Sequence, residues 1–298
     1  MQVPINTTMR AIILVKKRTL ALFAGLSLSF GGLACQTTSP KKEDLTSRPE
    51  LEKKLLESQM ALVQNAVDSG HPEKAHALLR ESLQKFPENP QLHNLMGLTQ
   101  LALKNSKRAL FHFEKSYQIL PEIASGLNLS SALIDQGDYK RALIQLKTLI
   151  AEAKTKQYSY QERIYHNVGF TLLKLNKMRA AEKWFKMALE ENPTFFPSHL
   201  ELARIYLSQN RMAEANISLK RSHDYCLPCW EPIELLVGLY KTTHRYRDAH
   251  VLLVSYLKTP DLPEVSKNLG HKFLQEILSA EPTLSAKIPL PIRQSHSK

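Results

Sequence analysis

The chain has 298 residues, 43% of them hydrophobic, with 10 Gly, 16 Pro and 3 Cys. It is too aliphatic for a disordered chain, too poor in Gly and Pro for a fibrous one, and too poor in cysteine for a disulfide-stapled miniprotein. Forty Lys and Arg against 28 Asp and Glu give a net charge of +12, a balance that alone points to nucleic acid or an anionic membrane.

The first element changes that reading. Residues 1–34 hold four basic residues, Arg10, Lys16, Lys17 and Arg18, and no acidic one. A short apolar run from Thr19 to Phe30 follows, then Gly31-Gly-Leu-Ala-Cys35. A basic stretch, a short apolar stretch and small residues before a cleavage point predict a signal peptide over 1–34. The apolar run is too short to serve comfortably as a permanent span. The last residues resemble a bacterial lipobox, with Leu33 one place closer to Cys35 than usual and Gly32 in the usual Leu position. The resemblance implies lipidation at Cys35. Gln36 stands where an Asp would hold such a protein in the inner membrane, so the expected location is the outer membrane, facing the periplasm. Removing 1–34 lowers the charge to about +8 and, with export, makes nucleic acid an improbable partner. Anionic lipid, cell-wall polymer or an acidic protein face stay compatible.

Residues 35–50 are polar, contain two prolines, and read as a tether running from the lipidated cysteine. From there the pattern is helical, and it repeats. Ala75, Ala109, Ala142, Ala181, Ala215 and Ala249 recur at spacings of 34, 33, 39, 34 and 34 residues. Four residues after each comes a large apolar residue: Leu79, Phe113, Leu146, Phe185, Leu219 and Leu253. Pro87, Pro121 and Pro193 recur in phase, with Pro228 and Pro260 close to it, and proline cannot continue a helix. Gly97, Gly169 and Ala203 hold the small-residue position of the first helix; Val63, Ser130 and Val237 depart from it.

This register resembles the tetratricopeptide repeat, a helix–turn–helix of 34 residues. The resemblance implies an all-α, right-handed superhelical solenoid of about six repeats over 51–261, because no single hairpin buries its own apolar face. The units run 56–89, 90–122, 123–161, 162–195, 196–229 and 230–261. The third is longer by about five residues within Lys154–Arg163, through a longer turn or a lengthened helix. A capping helix is expected over 262–281 and a flexible tail over 282–298.

No catalytic constellation emerges. There is no Gly-rich phosphate loop, no Gly-x-Ser-x-Gly elbow and no His-Glu-x-x-His, so no enzyme activity, cofactor or metal is expected. His93, His166 and His199 fall near one position of different first helices and read as groove-lining or helix-packing residues. Cys226-Leu-Pro-Cys229 is compatible with a redox pair, half a zinc site, free thiols or a short disulfide. With Cys35 acylated in an oxidising compartment, two thiols are left to pair, and a structural disulfide is the reading adopted.

The first helices of such an array line a groove, the expected working surface. Its candidate residues are Gln91, Asn94, Leu98, Asn128, Asp135, His166, Asn167, Phe170, Lys174, Glu201 and Arg204. Asn128 and Asn167 each stand two residues before the small-residue position, where an amide offers donor and acceptor to an extended peptide.

An exported cysteine, a polar tether and six repeats resemble the type IV pilus biogenesis lipoprotein family, the pilotins PilF and PilW and the Tgl group. The similar stretches are Arg163-Ile-Tyr-His-Asn-Val-Gly-Phe170, Ala180 to Pro193, and Phe195 to Ala203. The resemblance implies a non-enzymatic scaffold that binds a secretin subunit and promotes its delivery or multimerisation. The alternative expectation is a lipoprotein adaptor recruiting peptidoglycan enzymes or outer-membrane assembly factors.

Overall fold

The computed structural model describes residues 48–287. The expected signal peptide, the lipidation site Cys35, most of the tether and the last eleven residues lie outside the described residues. Those described form thirteen α-helices, a 3-10 turn and no strand. The helices are α1 (Arg48–Asp68), α2 (Pro72–Lys85), α3 (Pro90–Ala102), α4 (Ser106–Ile119), α5 (Ile123–Asp135), α6 (Tyr139–Thr155), α7 (Gln161–Lys174), α8 (Met178–Glu191), α9 (Phe196–Ser208), α10 (Met212–Tyr225), α11 (Trp230–Thr242), α12 (Tyr246–Leu257) and α13 (Glu264–Ala280).

The chain divides into two compact units with a boundary between Gln145 and Leu146, inside α6. In the N-terminal unit α1 packs on α2 and α3 on α4, and each hairpin packs on the next. In the C-terminal unit the hairpins are α7–α8, α9–α10 and α11–α12, closed by α13. Within a unit, first helices also touch first helices, α1 with α3 and α7 with α9.

The repeated alanines and the large residues four positions later are all fully buried. One helical turn apart, they share the face that each second helix turns inward. What they meet explains the departures at the small-residue position. A Cβ on Gly97 would overlap the ring of Phe113, and one on Gly169 would come within 2.9 Å of the ring of Phe185. Where the second helix offers the smaller Leu219 or Leu253, the first helix offers Ala203 or Val237, in one buried cluster. Val63 likewise shares a cluster with Leu79. The position is therefore matched to its partner's size: Gly against Phe, Ala or Val against Leu.

Each turn inside a hairpin carries one residue in the left-handed region: Gly70, Lys104, Gly137, Asn176, Asn210 and His244. Each stands five residues before a buried alanine. Gly and Asn take this conformation readily; Lys104 (φ 62°) and His244 (φ 56°) hold it without that advantage. Proline follows the end of every second helix but α6, and Asn89 caps α3 by accepting from the Leu92 amide at 2.9 Å. Within a hairpin, serine hydroxyls on the second helix tie it to the start of the first: Ser116 donates to the Pro90 carbonyl at 2.8 Å and Ser222 to the Phe196 carbonyl at 3.2 Å.

The extra residues of the third unit are divided between two places. Helix α6 has 17 residues where α4 has 14, and the turn after it carries Gln157 in the left-handed region. At the C-terminal end α13 seals the last cluster with the fully buried Ile277. Residues 282–287, read from sequence as the start of a flexible tail, form the 3-10 turn, and Leu284 packs on that cluster.

Candidate protein-binding faces

In the N-terminal unit a groove of about 410 Å³ opens between α1, α3 and the start of α5. Met60, Ala61 and Gln64 form one wall, Gln91, Asn94 and Leu95 the other, with Leu120, Ala124 and Ser125 at one end. Its lining mixes methyl groups with amides, which suits a few side chains of a peptide segment. The predicted groove residues Gln91 and Asn94 lie in this lining. Asn128 Nδ2 donates to Asn94 Oδ1 at 2.8 Å, so these two amides form a bridge between successive first helices. Leu98 and Asp135 are half-buried on the same helices.

In the C-terminal unit the predicted residues of α7 and α9 form a polar ladder. Lys174 Nζ lies 4.9 Å from the centre of the Phe170 ring, a cation–π contact. Glu201 is half-buried, and burial raises its carboxyl pKa against the opposing pull of Arg204 and Lys174. Arg204 Nε lies 3.7 Å from Glu201 and its Nη2 pairs with Glu231 at the start of α11. The arginine thus links first helices of adjacent repeats. Asn167 is half-buried beside this ladder. Glu231 was not legible as a site residue, since only the stacking of the next repeat brings it to Arg204.

His166 needs correction. It is buried, not groove-lining: its ring packs among Phe170, Phe185 and Phe195, and Nδ1 meets Ser198 Oγ at 3.0 Å. Burial lowers its pKa to about 4, so it is neutral in the fold. His93 and His199 are turn locks. Nε2 of each lies 2.9 Å from a proline carbonyl six residues back, Pro87 and Pro193. With Nε2–H of His93 so used, its Nδ1 accepts from His112 Nδ1 at 3.1 Å, a tautomer assignment set by the network. Burial, with His93 and His76 nearby, lowers the His112 pKa to about 4. Among the described residues no group of three or more His, Cys, Asp or Glu is arranged to hold a metal.

Cys226 and Cys229 are joined as a disulfide, their Cα atoms 5.4 Å apart. Cys226 closes α10 and Cys229 precedes α11, so the bond spans the turn between two repeats. Tyr256 donates to the Pro228 carbonyl at 3.1 Å inside that turn, and Trp230 packs on Tyr256 and Phe273. None of the described helices is long and apolar enough to cross a membrane.

Comparison with known proteins agrees with this geometry. Tetratricopeptide repeat models match residues 60–122 and 162–195. Over 78 residues the chain is 32% identical to Protein O-mannosyl-transferase tmtc2 of Xenopus laevis, a match covering 26% of this chain and 9% of that protein. Among solved structures, PilF of Pseudomonas aeruginosa superposes with a TM-score of 0.58 at 17% identity, covering 77% of this chain and 99% of that one. PilW, a widely conserved type IV pilus biogenesis factor, gives 0.60 at 17% identity, covering 75% and 98%. A thermophilic repeat protein of Thermus thermophilus gives 0.51 at 21% identity, covering 62% and 99%. At these identities the likeness is one of fold: the chain is an all-α array of tetratricopeptide repeats.

Proposed function

We propose that this array of tetratricopeptide repeats is a lipid-anchored scaffold of the outer membrane that assists secretin assembly for type IV pili. The observation that carries the proposal is the fold-level likeness to PilF and PilW, which spans 99% and 98% of those chains. Two features of this chain support it: the lipobox-like run ending at Cys35, and repeats that leave a groove and a polar ladder on their first helices. The acyl anchor would hold the array at the membrane, and the first-helix faces would capture an extended or helical segment of the subunit. Confinement of both partners to one membrane raises their effective concentration.

Affinity capture of the lipidated protein from detergent-solubilised envelopes tests the partner. The expected result is recovery of a secretin, with fewer heat-stable secretin multimers in a deletion strain. No secretin in the capture, together with normal multimers in the deletion strain, would sink the proposal. Cys35→Ala tests the anchor separately. It should release the protein from the outer-membrane fraction; continued co-fractionation would show that acylation is not what holds it there.

A further inference from the structure

The basic residues are scattered in sequence but sorted in the fold. In the C-terminal unit, residues 177–191, 211–225 and 245–258, which carry the second helices α8, α10 and α12, hold ten Lys and Arg against six Asp and Glu. The first helices of that unit, α7, α9 and α11, hold four against four. The N-terminal unit shows the same bias: residues 104–120 around α4 hold four against one, whereas 90–102 and 122–135, around α3 and α5, hold none against two.

Ion pairing sharpens the sorting. Glu182, Glu214 and Asp248 are held by Lys186, Arg211 and Arg245. Lys183, Lys220, Arg247 and Lys258 are exposed and make no ion pair among the described residues. Between these cations stand single exposed apolar side chains. Ile217 is 52% exposed and Val251 59%, 34 residues apart and so at one repeat position; Phe111 is 53% exposed on α4. Lys220 and Arg221 follow Ile217 by three and four residues, Arg247 precedes Val251 by four, and Lys107 and Lys115 lie four to either side of Phe111. Each apolar tip thus shares an exposed helical stripe with its cations.

A partner helix would need a continuous apolar stripe, and single-stranded nucleic acid would need a run of stacking aromatics. Isolated apolar tips with Lys or Arg one helical turn away fit a lipid interface. The cations meet phosphates and each tip enters the boundary of the acyl region. We infer that the second-helix face of each unit is a docking surface for a bilayer rich in anionic phospholipid. The inference goes beyond the proposed function and depends neither on acylation of Cys35 nor on a secretin.

The test uses the chain from Gln36 onward, which lacks any acyl group and keeps every described helix. It is sedimented with vesicles of phosphatidylglycerol in phosphatidylethanolamine, or of phosphatidylcholine alone. Binding to the first and not the second, weakening as salt rises, is the expected result. The triple reversal Lys183→Glu, Lys220→Glu and Lys258→Glu should cut the partition coefficient at least about tenfold. Ile217→Ser with Val251→Ser should weaken binding while leaving its salt dependence in place. All five positions are exposed, so unchanged circular dichroism and melting serve as the folding control. No sedimentation with anionic vesicles at low salt, or binding indifferent to the triple reversal, overturns the inference. Self-association that is lost in the triple variant, without vesicle binding in the parent, would assign the face to acidic protein surfaces and also overturn it.

Discussion

Gly97 and Phe113 act as a pair, and neither makes sense alone. The ring fills the space a side chain on α3 would need, so Gly97→Ala overfills a packed contact. The gain in helix propensity, about 1 kcal/mol, falls short of an overpacking cost of about 1–3 kcal/mol. Gly97→Ala should therefore destabilise the protein in urea titrations, as should Phe113→Leu, which leaves a void. The double variant reproduces the Ala203–Leu219 match and should recover at least about 1 kcal/mol of the summed losses. Strict additivity would contradict the size-matching account. His166 yields a second prediction. Its folded pKa of about 4 lies below the ordinary histidine value of 6.5, so between those values the unfolded chain binds a proton the fold does not. Stability then rises with pH across that window and is lost on acidification. Going from pH 7 to pH 5 should cost roughly 2 kcal/mol through this residue. His166→Gln should flatten the slope, with a residual slope of the same sign from His112. An equal slope in the variant would place the pH dependence elsewhere.

At the scale of the element, much was legible because the hairpin writes its two faces at fixed offsets. The alanine and the large residue four places later marked every second helix, and prolines marked the end of all but the third, α6. The left-handed turn residue was not legible at Lys104 or His244, where nothing local favours that conformation and closure of the hairpin imposes it. Nor could periodicity tell whether His166 faces the groove or the next repeat, because a first helix is covered on more than one side. Gln91 and Asn94 were legible as lining; the opposite wall from α1 was not, because it is set by how far Met60 to Gln64 reach alongside α3. The turn between α10 and α11 carries a prediction at this scale. Reducing the Cys226–Cys229 bond frees a very short loop, so global stability should fall by at most about 2 kcal/mol. Hydrogen exchange should quicken in α10–α11 and around Tyr256, whose hydroxyl bonds inside that turn. Acceleration spread evenly over α7–α13 would refute a local role.

At the scale of the array, every substantial contact among the described helices joins elements one or two places apart in sequence. Such an array lacks the long-range contacts that force a single unfolding step. Calorimetry should therefore give an unfolding enthalpy larger than its van't Hoff value, with α1 and α13 losing protection before α9 and α10. Coincident transitions by all probes would show stronger coupling than the contacts suggest. The net charge was legible as a number but not as a surface. Its meaning depends on which helix layer carries it, and only stacking decides that.

The match of Gly to Phe and of Ala or Val to Leu also bears on how such an array can grow. A second helix carrying Phe113 or Phe185 fits a first helix that offers glycine, whereas one carrying Leu219 or Leu253 tolerates a methyl group or more. Tandem duplication that copies a whole hairpin preserves the match at every step. Recombination with a breakpoint in the turn at Lys104 or Asn176 would place a phenylalanine against a side chain, or a leucine against empty space. The heritable module of this protein is therefore the hairpin, with its natural joints at the prolines.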